Sequence, residues 1–167
     1  MKYYMTRKPL LSAKLRLLLA LAALSPLLLC AQWPFVPPTT PSAQRNALNA
    51  VRMQVDWLQN STRTAANFGA QGYGNVRQQF EGLRGAYGAF KQTLRPDQLA
   101  YGANDLAEMD AGLDILQEAF TNYEQDIAEG RPVRTALNDM GQVMRQGSAL
   151  WWQELNKKAS RLRVGWG

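Results

Sequence analysis

The sequence predicts an all-α protein: an antiparallel, up-down-up-down four-helix bundle with coiled-coil-like packing, set behind an N-terminal signal segment. Three observations carry this. Apolar residues recur at alternating three- and four-residue steps from residue 43 almost to the end of the sequence. No stretch alternates apolar and polar residues with period two, so no sheet is expected. Residues 17–31, LLLALAALSPLLLCA, form an apolar run behind Lys2, Arg7, Lys8, Lys14 and Arg16, the charged and greasy regions of a secretory signal.

That run is short for a membrane span, which needs about 20 apolar residues, and Ser25-Pro26 interrupts it. Cleavage after Ala31 would leave Gln32 first; Ala31 suits the cut, although Leu29 is large for its position. A lipobox, Leu27-Leu28-Leu29-Cys30, would instead lipidate Cys30, although Leu29 is again bulky. An uncleaved N-terminal anchor is the third outcome. The preferred reading is the ordinary cut, with Cys30 a small apolar residue of the run. The expected organisation is signal peptide 1–31, Pro-rich extended leader 32–42, bundle 43–163 and C-terminal tail 164–167. Localisation follows: periplasmic, cell-envelope or secreted.

The leader, WPFVPPTTPS over 33–42, reads as an extended spacer. The first helix is expected over 43–68, with Ser42 as N-cap, the stripe Leu48, Val51, Val55, Leu58, Thr62 and Ala65, and Gly69 as stop. Gly72-Tyr73-Gly74 extends that break. The second helix is expected over 75–94 on Val76, Phe80, Leu83, Tyr87, Phe90 and Leu94, ended by Pro96. The third runs over 97–129 on Leu106, Met109, Leu113, Leu116, Phe120, Tyr123 and Ile127. Gly102 can split off a short piece at 97–102, with Asn104 capping the remainder. The fourth runs over 132–161, Pro132 in its first turn, on Val133, Leu137, Met140, Met144, Gly147, Trp151 and Leu155. Steps averaging 3.5 residues favour left-handed, coiled-coil-style packing. Laid antiparallel, the second and third stripes pair Leu83 with Leu113 and Phe80 with Leu116, or, one heptad along, Leu83 with Phe120.

Charge is segregated by helix. Residues 97–130 carry nine acids and no Lys or Arg, whereas 32–96 and 131–167 each carry seven basic residues and two acids. Arg77, Arg84 and Lys91 sit seven apart beside the second stripe, and Asp110 and Glu124 flank the third on the corresponding side. The acidic helix is therefore expected between basic neighbours, its edge charges selecting partner and orientation. Read functionally instead, Glu108, Asp114 and Glu118 form an outward acidic face for a cation or a basic partner. Calcium usually wants a loop with backbone carbonyls as well, and no EF-hand pattern is present.

Composition excludes several chemistries. The chain has no histidine, which removes Ser-His-Asp and Cys-His catalysis, the usual zinc sites, Glu-x-x-His di-iron bundles and His-ligated haem. The net charge of +6 belongs largely to the signal: five of the 19 basic residues lie there and all 13 acids lie beyond it. The mature chain is near neutral, so a nucleic-acid partner is not expected. After cleavage at Ala31 no cysteine remains and no disulfide can form. An enzyme would have to work with carboxylates alone, such as Glu108 with Asp110, and nothing in the sequence marks a cleft for them.

Trp151-Trp152 places two indoles about 100° apart, so Trp151 continues the stripe and Trp152 is a flank residue or an exposed partner anchor. Glycines 82, 85 and 88, with 112, 141 and 147, mark close helix approach, or else a loosened second helix. The tail with Lys157, Lys158, Arg161, Arg163 and Trp166 reads as a frayed helix end, or as a contact for an anionic membrane surface. Asn60-Ser61-Thr62 matches the glycosylation pattern but lies within a helix. The expected function is an exported, non-enzymatic helical bundle with no cofactor and no resident metal, acting by contact with a protein partner. A homo-oligomer fits the same pattern. The alternative is a membrane-tethered structural envelope protein.

Overall fold

A computed structural model describes residues 39–166; the signal segment, Cys30 and most of the leader lie outside the described residues. The protein is all-helical, with no strand among the described residues. Five helices follow one another: α1 (Pro41–Phe68), α2 (Ala70–Gln92), α3 (Pro96–Tyr101), α4 (Ala103–Ala128) and α5 (Val133–Arg161).

The stops are where sequence chemistry puts them, and several starts are not. The N-cap of α1 is Thr40, whose hydroxyl accepts from the Ala43 N–H at 3.2 Å, so Pro41 takes the first helical position and Ser42 lies inside the helix. Gly69, at φ +55°, alone turns α1 into α2. The expected break at 72–74 is helical instead. Gly72 lies directly against the Ala65 carbonyl, and Tyr73 stacks on Tyr123 at 4.5 Å, contacts that outweigh the weak helix propensity of glycine. Gly102, rather than Asn104, sits between α3 and α4, buried against Leu162. Pro132 stands just before α5 rather than in it, and Gly130 (φ +84°) makes the turn.

The predicted stripes form one core. Val51, Val55, Leu58, Phe80, Leu83, Phe90, Leu137 and Met144 are almost wholly buried. Each such side chain stabilises the fold by about 1.5–3 kcal/mol. Exceptions are Val133, which is exposed, and Leu48 and Ile127, which are only half-buried.

Backbones approach closely where α1 packs on α2 and on α5, and where α4 packs on α5. Small residues mark each approach: Gly72 on Ala65, Gly141 on Thr62, Gly147 on Leu116. Contact between α2 and α4 is made by long side chains. Tyr73 meets Tyr123 and Phe120, and Phe80 meets Phe120 at 5.4 Å. In each of these contacts the residue numbers run in opposite senses. The Tyr73–Tyr123 stack belongs to the first of the two registers, and Phe80–Phe120 lies between them.

Candidate functional site

The three cations of α2 face α4. Lys91 donates to Asp110 at 2.7 Å and its ammonium lies 4.8 Å from the Tyr87 ring centre. Arg84 bonds Asp114 at 3.2 Å and also Gln117. Arg77 stands 3.7 Å from Glu124, which accepts from the Tyr73 hydroxyl at 2.5 Å. All three pairs are substantially exposed, so each contributes about 0–1 kcal/mol and acts mainly on pairing specificity.

Two of the three acids of the expected outward face are already paired. Asp114 is engaged by Arg84, and Glu108 accepts from Lys158 of α5 at 2.5 Å. Glu118 is exposed and has no ion pair among the described residues. Glu108 and Asp110 reach lysines on different helices, so they form no acid–base couple. Among the described residues no group of three or more His, Cys, Asp or Glu side chains is placed to hold a metal ion.

Lys158 is the residue that sequence reasoning missed. Assigned to a solvated basic tail, it is buried, and it also donates to Asp105 at 2.8 Å. Arg161 shares that Asp105 at 3.0 Å, and Lys157 pairs with Glu154 at 2.7 Å. The signal was available: Lys158 stands seven residues after Trp151 and three after Leu155, on the edge of their stripe. Its hydrogen bonds to Asp105 and Glu108 hold its pKa above the ordinary lysine value. Burial, then the bond to Glu124, pushes Tyr73 up to about 12, and burial raises Tyr87 as well.

These groups hold their protons more tightly folded than unfolded. The stability they supply is complete below their unfolded-state values and is lost as pH rises through the folded ones. Urea midpoints are therefore expected to stay level toward about pH 9.5 and to fall above about pH 10. Tyr73→Phe should make that fall shallower. An unchanged alkaline limb in the variant would contradict the account.

Beside Lys158, α4 and α5 enclose an apolar groove of about 350 Å³. Gly112 and Gly147 line it, and Ile115 and Leu150 stand on it, 65% and 62% exposed. Trp151 closes one side, buried, its indole N–H donating to the Met109 carbonyl at 2.8 Å. Glu108 and Glu154 edge the groove, and Glu118 lies one turn past Ile115. Trp152 is half-buried against the core rather than a free anchor, while Trp166 is 70% exposed. Residues 164–166 are no frayed end: Val164 is buried and the Gly165 N–H donates to Gln44.

No protein-family model, curated protein or solved structure matches this chain.

Proposed function

We propose that this is an exported, non-enzymatic protein acting by protein–protein contact in the cell envelope or outside the cell. Its fold, on this reading, is an antiparallel, up-down-up-down four-helix bundle with coiled-coil-like packing, delivered by the N-terminal signal peptide. The antiparallel contacts among the four long helices support that description. The observation that carries the function is the α4–α5 groove. Two large aliphatic side chains, Ile115 and Leu150, are left in water over a glycine-lined trough, a costly arrangement for a surface with no partner. Exposed Glu118, one turn past Ile115, suits a partner helix with an apolar face and a basic flank, docked helix-in-groove.

The test is photo-crosslinking in the native host from position 150, with position 89 on the exposed face of α2 as control. One adduct of discrete mass is expected from position 150, abolished by Ile115→Asp and absent from position 89. Adducts from both positions, or from neither, overturn the reading.

A second reading, a membrane-tethered envelope protein held by lipidated Cys30 or an uncleaved N-terminal segment, is favoured by the cationic and aromatic residues at the end where α1 begins. Intact mass of the protein from its host separates the two: a chain starting at Gln32 is free, and one starting at acylated Cys30 or Met1 is tethered.

A further inference from the structure

At the end of the molecule where α1 starts, α3 and the chain after α5 meet. The Gln98 side chain donates to the Leu162 carbonyl at 2.8 Å, the Gly165 N–H donates to Gln44 at 3.0 Å, and the Arg45 stem lies against Gly165. A polar pocket of about 370 Å³ opens there, lined by Arg95, Arg161, Arg163 and Tyr101, with Asp97 at its side. Its charges do not cancel. Arg95 bonds Asp97 at 3.2 Å, but Arg161 shares Asp105 with Lys158. Arg163 is exposed and has no carboxylate partner among the described residues.

Arg163 is also placed at a local cost. It follows the last helical turn at φ +53°, the only non-glycine residue with positive φ among the described residues. The Val164 N–H bonds the Ala159 carbonyl and the Arg163 N–H bonds the Ser160 carbonyl, so this is a Schellman turn with arginine where glycine is the ordinary choice. Strain of this kind gathers where a side chain is needed. Around these cations stand Tyr101, 78% exposed, Trp166, 70%, and Leu99, 39%. Exposed Tyr and Trp beside arginine is the composition that settles at a bilayer interface. Whatever precedes residue 39, including the apolar run 17–31, joins the described chain at this same end.

We propose that this end is a membrane-contact face that binds the phosphates of anionic lipids. Arg95, Arg161 and Arg163 surround the phosphate, and Tyr101 and Trp166 enter the interface. Arginine suits the role because its planar fork pairs two phosphate oxygens at once. The inference rests on the tethered reading, which brings this end to a bilayer.

The experiment reconstitutes the full chain with vesicles of brominated phosphatidylcholine, alone or with phosphatidylglycerol, and takes the quenching of Trp166 as the difference from Trp166→Phe. Quenching is expected to rise several-fold with phosphatidylglycerol and to fall with added salt. Arg163→Gly relieves the positive φ and so keeps the fold, yet it should lose about fivefold of the phosphatidylglycerol-dependent gain, the effect of one arginine near an anionic surface. Equal Trp166 quenching with and without phosphatidylglycerol, or an unaltered gain in Arg163→Gly, overturns the proposal. So does a Trp166 response to polyglutamate but not to vesicles, which would make the face a protein site. Flotation on neutral vesicles reports the tether separately. Failure to float overturns the tether and this inference with it, and flotation without the phosphatidylglycerol effect overturns this inference alone.

Discussion

Gln44→Leu should lower the stability by about 3 kcal/mol and Tm by roughly 10 °C. Gln44 is fully buried and all of its polar atoms are used. Its amide donates to the Thr93 carbonyl at 3.0 Å and to Gln98 Oε1 at 2.7 Å, and its oxygen accepts from the Gly165 N–H at 3.0 Å. Leucine fills about the same space, so no cavity forms. What changes is that the buried Thr93 carbonyl and the half-buried Gly165 N–H lose a side-chain partner, at about 1–3 kcal/mol each. Gln98 keeps two bonds, from the Arg95 N–H at 2.9 Å and to the Leu162 carbonyl at 2.8 Å. Gln98→Leu would instead strip a partner from that N–H and from the Leu162 carbonyl. Because the Gln44–Gln98 bond is lost in either variant, the double variant should cost less than the two single costs added together. Urea unfolding of the four proteins gives the coupling directly. Simple additivity would mean that the two glutamines act separately and that no network joins the helix ends.

Those two glutamines show where sequence reading stops. The stripes were legible because hydrophobic burial is non-directional and repeats with the helix, so Val51, Phe80, Leu113 and Leu137 announce themselves by spacing alone. The cations Arg77, Arg84 and Lys91 were legible for a similar reason, since a seven-residue interval keeps them on one edge of α2. A buried Gln44 carries no such mark. It lies on the core side of α1, one turn before Leu48, but a glutamine there reads as solvated unless its partners are known, and those partners are 49 and 121 residues away. Lys158 was misplaced likewise, because its carboxylates stand on α4, 50 and 53 residues earlier. The groove is legible only in part. Ile115 falls off the α4 stripe in the sequence, yet its standing beside Leu150 depends on how α4 packs on α5.

The glycines of α2 carry the other large prediction, because the same substitution should act with opposite sign at two positions of one helix. Gly72→Ala is expected to destabilise by about 3 kcal/mol. A Cβ there would lie 2.7 Å from the Ala65 carbonyl carbon and closer still to its oxygen. That obstacle is the backbone of α1 only seven residues earlier, across the single-residue turn at Gly69, and it cannot rotate away as a side chain would. The helices would have to part where Tyr73 stacks on Tyr123, loosening the α2–α4 contact as well. Gly85→Ala meets nothing within 4 Å and lies on the exposed side of α2. It should stabilise by about 0.5–1 kcal/mol, through helix propensity and a less flexible unfolded chain. Denaturant midpoints of the two variants decide between close packing and a loosened helix. If both alanines stabilise, α1 and α2 are not held together by the absence of a side chain at Gly72. If Gly72→Ala alone is damaging, the two glycines have separate origins: one is required by a backbone it touches, and the other is a local weakness of α2 that the core tolerates.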